Sequence, residues 1–211
     1  IKIQIGAKLT KEYLKMINKT KDSKNKFTSI FSDVKGRISE RRIAALYKMG
    51  IISKDSYKKF RPNKIITRAE FLKLIIHATN KNFSVGDLNI KFKDVKADSW
   101  YSKYVAYASN NKLVKGYPDN TFKPEGLVTK AEALQMIFNA FKVKPNDNLP
   151  FQYKDISETS WQKNIVNTSI CLGIVKEPKN GKFFPDTIIT RENAATLVFE
   201  VMKVITDRAP K

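Results

Sequence analysis

The chain has 211 residues and carries 40 Lys and Arg against 20 Asp and Glu, a net charge of +20. With 42% hydrophobic residues it is globular rather than disordered, and a single Cys and a single His exclude an internal disulfide and a Cys/His zinc cluster. No apolar run approaches the roughly 20 residues needed to cross a bilayer, so no membrane insertion is expected.

The charge needs an anionic partner, and charge alone does not choose among nucleic acid, membrane and acidic polymer. Lysine supplies 33 of the 40 cations and no polybasic block is present. Readers of bases and phosphates lean on arginine forks, so a nucleic-acid partner is not expected. The excess is uneven, with +13 of the charge in residues 1–65. The chain starts at Ile1 without an initiator Met or a signal-peptide pattern, which reads as a piece of a longer protein.

In chain order, residues 1–30 read as a helix and a basic loop that complete a bundle. Glu12 to Ile17 mirrors Glu70 to Ile75 at an offset of 58, and the lysine-rich stretch 19–26 reads as the loop. Three copies of one unit follow, over 31–80, 81–142 and 143–211. Phe60 to Phe122 and Thr67 to Thr129 give an offset of 62, while Trp100 to Trp161, Phe122 to Phe183 and Thr129 to Thr190 give 61. Fixed spacing of this kind marks stacked repeats.

Each copy reads as helix, loop, helix. The first helix follows an F-x-D segment, with Ser99 or Ser160 placed to cap it just before Trp100 or Trp161. It ends near Leu113 or Ile174, at the turn-forming runs GYPDN and EPKNG. An F-x-P segment then leads to the second helix. Thr67/Glu70 and Thr129/Glu132 have the spacing of a capping box, whereas Asn193 in copy three is expected to weaken the reciprocal half. Behind the caps, Phe71, Leu74, Ile75 and Ala78 fall at i, i+3, i+4 and i+7, and both later copies repeat the stripe. So small a helix pair cannot bury its own stripe, which predicts an all-α fold of mutually packed repeats.

The residue after each capping Thr is cationic: Arg68, Lys130 and Arg191. In the first turn of a helix a cation forfeits about 0.3–1 kcal/mol against the backbone dipole. Recurrence in three divergent copies leaves two readings. The free N–H groups of a helix start and the cationic side chain together form an anion site, or the side chains point outward or pair with an acid across a repeat interface. Trp100 and Trp161 likewise read either as core or as indole platforms for a sugar ring at a groove edge. His77 reads as a packed or half-exposed imidazole, and Glu70 and Glu132 as capping groups rather than a catalytic carboxylate pair. No catalytic activity, metal or cofactor is expected.

The combination of F-x-D-V, a Trp, an apolar helix ending in L-V or G-I, GYPDNTF-x-P and TRAE resembles the surface-layer homology (SLH) repeat of bacterial envelope proteins, over Phe31 to about Lys203. Thr67-Arg68-Ala69-Glu70 is the family's signature tetrapeptide unaltered. The resemblance implies three repeats folded as a pseudo-threefold helical spindle that tethers a surface-layer protein or enzyme to the wall at the cell surface. It further implies that the tetrapeptide arginine contacts an anionic wall polysaccharide, often one bearing pyruvate ketals, in the groove between repeats. That role falls on Arg68 and Arg191, and on Lys130 by position. Gly116 of the GYPD loop would let a sugar approach the backbone. Assembly into a surface layer through the parent protein is a further possibility. Copy one lacks the Trp, and Lys54 and Glu177 stand where copy two has Gly116. Three unequal grooves are therefore expected.

Overall fold

The structure, a computed structural model, describes residues 11–21, 29–54, 57–79, 83–84, 89–150 and 153–208. Among them are seven α-helices: α1 (Lys11–Lys21), α2 (Glu40–Lys48), α3 (Arg68–Thr79), α4 (Ser102–Asn110), α5 (Lys130–Phe141), α6 (Gln162–Cys171) and α7 (Arg191–Arg208). Together they form the expected all-α, pseudo-threefold spindle. Of the expected basic loop 19–26, residues 19–21 are instead the last turn of α1, and 22–26 lie outside the described residues.

The second helices of the three copies, α3, α5 and α7, pack pairwise on one another at the centre. Each first helix packs on the second helix of the preceding copy rather than of its own: α4 on α3, α6 on α5, and α2 on α7, which closes the ring. The α1 helix lies against α2 and α7 with Tyr13 and Ile17 buried. Packing across copies removes from water the apolar stripes that one helix pair would leave exposed.

The link between the helices folds the same way in every copy. The aromatic ring of F-x-D meets that of F-x-P, with centroids 5.7 Å apart for Phe31–Phe60, 5.8 Å for Phe92–Phe122 and 6.1 Å for Tyr153–Phe183. The Asp two positions on takes two successive N–H groups: Asp33 from Phe60 and Arg61, Asp94 from Phe122 and Lys123, and Asp155 from Phe183 and Phe184. Arg61, Lys123 and Phe184 are all left-handed, with φ of 60°, 55° and 57°. That conformation is uncommon for a side chain bearing a Cβ, and here a carboxylate that accepts both N–H groups supports it.

The capping boxes form at Thr67/Glu70 and Thr129/Glu132. Copy three keeps the box in an altered form. Asn193 Oδ1 accepts the Thr190 N–H at 3.0 Å and Thr190 Oγ1 accepts the Asn193 N–H, so the reciprocal half is made by an amide oxygen in place of a carboxylate. The first helices differ as well. The Ser99 side chain does not cap α4; its carbonyl accepts from Ser102, and the N-cap residue is Tyr101 with no side-chain cap. Ser160 Oγ does accept the Gln162 N–H at 3.2 Å.

Backbone bridges tie the copies together around the axis: Thr67 with Leu127, Thr129 with Ile188, and Ile65 with Thr190. The first N–H groups of α3, α5 and α7 also cross to a neighbour. Arg68 and Ala69 donate to the carbonyls of Gly126 and Pro124, Lys130 and Ala131 to Thr187 and Pro185, and Arg191 and Glu192 to Lys64 and Pro62, at 2.8 to 3.1 Å. A lone copy would leave these helix-start donors unsatisfied.

Candidate functional site

The ring arrangement builds three related grooves, each from all three copies. A cation at the start of a second helix comes from one copy, the post-helix loop and the face of a second helix from the next, and an exposed apolar side chain from the last. In the first groove these are Arg68, the Leu113–Tyr117 loop with Glu132 and Gln135 of α5, and Trp161. In the second they are Lys130, the Ile174–Lys176 loop with Asn193 of α7, and Ile38. In the third they are Arg191, the Ile51–Ser53 loop with Glu70 and Lys73 of α3, and Trp100.

Trp100 and Trp161 are 48% and 54% exposed, so they are groove-edge rings rather than core. Ile38, 89% exposed, holds the corresponding place in copy one, where the chain is one residue shorter. The sequence pattern did not single it out because it lacks the aromatic signal.

The anion site expected from free helix N–H groups is not present in that form. The donors at the start of each second helix are already engaged by carbonyls of the neighbouring copy. What remains for a ligand is side-chain chemistry, and it differs among the grooves. The Arg68 residue is 8% exposed, with its guanidinium 5.1 Å from the ring centroids of both Tyr117 and Phe122. Its Nη1 lies 3.9 Å from Glu132 Oε1, too long for a hydrogen bond, and its Nε has no partner among the described residues. The Lys130 ammonium donates to the Phe183 carbonyl at 2.9 Å and sits 3.6 Å over the Phe183 ring. Burial pushes its pKa down, with Asp155 opposing. Arg191 donates through Nε to the Phe60 carbonyl at 3.0 Å. In the same third groove burial raises the Glu70 pKa, but the Lys64 hydrogen bond, the Thr67 N–H and the charges of Lys64 and Arg191 outweigh it and hold the carboxyl below its ordinary value.

The grooves also differ in size. The first and third each enclose about 290 Å³, and the second about 920 Å³. Gly116 has a structural duty beyond any approach to a ligand. At φ 73°, a Cβ there would collide with Phe92 Cε1 and lie 2.8 Å from the Thr121 carbonyl oxygen. Lys54, its counterpart in copy one, lies over the rings of Tyr47 and Phe31.

Each groove thus has a cation from one copy and an exposed apolar side chain from another in its lining. The S-layer homology domain family matches the chain at residues 30–72, 91–134 and 152–195, and the chain belongs to that family, one of anchoring domains on cell-surface proteins. Among its relatives, the "Surface-layer 125 kDa protein" of Lysinibacillus sphaericus is 30% identical over 86% of this chain and 15% of its own length. The "Cellulosome-anchoring protein" of Acetivibrio thermocellus is 30% identical over 66% of the chain and 32% of its own length. "Exoglucanase XynX" of the same organism is 26% identical over 82% and 16% respectively. The chain thus spans a third or less of each of these relatives.

Proposed function

We propose that this chain is a non-catalytic cell-wall anchor that binds an anionic, pyruvylated secondary cell-wall polysaccharide in its inter-repeat grooves. In this way it tethers a surface-layer protein or a surface enzyme to the bacterial envelope. The observation that carries the reading is the threefold recurrence of a cation and an exposed apolar side chain in one groove lining, with each groove assembled from three copies. An indole face stacks on the apolar face of a sugar, and a guanidinium fork matches a ketal carboxylate. Arg68 with Trp161 and Arg191 with Trp100 supply both features, while Lys130 with Ile38 supplies a weaker version. Gly116 shapes the loop beside Arg68. The net charge of +20 adds long-range attraction for an acidic polymer. Names of relatives that refer to surface layers and to anchoring support the same reading.

The test is calorimetric titration of the chain with purified pyruvylated wall polysaccharide, with de-pyruvylated polymer and duplex DNA in parallel, at physiological salt. Binding to the first polymer alone, weakened about tenfold or more by Arg68→Ala, is the expected result. Equal affinity for the de-pyruvylated polymer would remove the carboxylate from the recognition, and binding to DNA alone would replace the reading.

A further inference from the structure

The three grooves share a plan but not a state of readiness. In the second and third, a main-chain carbonyl already accepts one N–H of the cation: Phe183 from Lys130 and Phe60 from Arg191 Nε. In the first groove Arg68 is nearly buried, and its guanidinium rests on rings rather than on hydrogen-bond acceptors. A carboxylate stands close by, yet Nη1 is held 3.9 Å from Glu132 Oε1. A charge-assisted N–H···O hydrogen bond is about 2.7–2.9 Å long, so this pair stops short of one.

Tyr117 competes for that oxygen. Its hydroxyl donates to Glu132 Oε1 at 3.0 Å, while the Thr129 N–H holds Oε2 at 2.9 Å, so each carboxylate oxygen already accepts a hydrogen bond from elsewhere. The Tyr117 ring is itself held by two cations, with Arg68 5.1 Å and Lys123 4.2 Å from its centroid. The other grooves do not repeat the device: copy three has Pro178 at the position of Tyr117, and Asp55 of copy one lies outside the described residues.

We propose that Tyr117 is a positioning residue for anion capture: by holding Glu132 Oε1 it keeps Arg68 short of a hydrogen bond to that carboxylate and makes the first groove the principal site for the ligand carboxylate. This rests on the anchor reading above and specifies where in the ring it operates. A buried N–H without an acceptor is costly, and an incoming carboxylate gives the Arg68 guanidinium the acceptor it lacks, whereas Arg191 Nε and the Lys130 ammonium each already donate to one carbonyl. Because Glu132 borders the same space, its charge opposes the ligand that Arg68 attracts.

The opposing effects give a test with signs. Affinity of the full chain for purified pyruvylated wall polysaccharide would be measured for Tyr117→Phe, Glu132→Gln and the double variant, with melting temperatures alongside. Tyr117→Phe keeps the ring but frees Glu132 to pair with Arg68, and should weaken binding about tenfold. Glu132→Gln retains an oxygen for the Thr129 N–H and should strengthen binding. The double variant should recover what Tyr117→Phe lost, which a merely structural role for the hydroxyl does not explain. Wild-type affinity in Tyr117→Phe, weaker binding in Glu132→Gln at an unchanged melting temperature, or a greater loss in Arg191→Ala or Lys130→Ala than in Arg68→Ala would overturn the proposal while leaving the anchor reading intact. A wild-type chain that does not bind the pyruvylated polymer would overturn the anchor reading, and this proposal with it.

Discussion

The carboxylate of Asp155 accepts the backbone N–H of Phe184 at 2.6 Å, and Phe184 holds a left-handed backbone at φ 57°. The same Asp takes the Phe183 N–H, so one side chain of the F-x-D segment fixes the F-x-P turn 28 residues later. Asp155→Asn keeps one acceptor and turns an amide toward the other N–H. The expected loss is about 1–2 kcal/mol in urea unfolding, with the fold retained. Burial tends to raise the Asp155 pKa, but the Phe183 and Phe184 N–H groups outweigh it and hold it below the ordinary value. The native state therefore binds protons less readily than the unfolded chain. The stabilisation is present above the unfolded value of about 3.9 and is lost as pH falls through the lower native one. A variant with the wild-type acid-unfolding profile would contradict this account.

His77 gives a second pH dependence, nearer neutrality. Burial lowers its pKa, and the charges of Lys73 and Lys103 lower it further, while Nε2 lies 3.3 Å from the Tyr104 hydroxyl. Since the folded value is the lower one, stability from the neutral ring is present above about pH 6.5 and declines as pH falls through the folded value. Denaturant midpoints at pH 5 and pH 7.5 should differ for the wild type and differ less for His77→Phe. Equal pH sensitivity in both would locate the effect elsewhere.

Gly116→Ala should cost more than about 1 kcal/mol, because the left-handed backbone and the contact with Phe92 both act against a Cβ. The Thr121 carbonyl oxygen is the second obstacle and cannot rotate away as a side chain does. Thermal unfolding decides between the two roles of this glycine. A variant of wild-type stability that binds polymer poorly would favour a ligand role over the structural one.

The seam between copies three and one has charged fastenings. Glu192 accepts from Arg37 Nη1 at 2.6 Å and also from the Ser39 hydroxyl, and Glu200 pairs with Arg42 Nε at 2.6 Å. The corresponding places at the seam between copies one and two are Ala69 and His77. Truncation of Glu200 should cost about 1–3 kcal/mol, because it leaves a half-buried guanidinium without its acid. Guanidinium or urea titration of Glu200→Ala against Glu200→Gln measures it, and a neutral result would show that the ring closes on apolar packing alone.

Much of the architecture could be read one copy at a time. The offsets of 61 and 62 define the repeat, and the Thr–Glu spacing and the apolar stripes place α3 and α5 at their observed starts. These features are legible because capping and helical periodicity involve residues within a turn or two of each other. Features set by contacts beyond that range, or by the exact start of a helix, were not legible. Ser99 falls at cap spacing, but the chain turns once more before α4 begins. Trp100 and Trp161 fit either a core or a groove edge from the stripe alone, and the fold leaves them half exposed at the edge. The Asp of F-x-D gave no sign of the turn it holds, because its partners lie 27 to 29 residues away.

The sequence by itself determined the three repeats, their helices and capping residues, and the recurring cation at the start of each second helix. All of these depend on local spacing, which survives divergence between copies. Tertiary structure alone decided that each first helix packs on the preceding copy, that neighbouring carbonyls take the helix-start N–H groups, and that Arg68 differs from Lys130 and Arg191 in what already holds it. The physical reason is that hydrogen-bond satisfaction and burial belong to pairs of surfaces, and a repeat read alone shows only one of them.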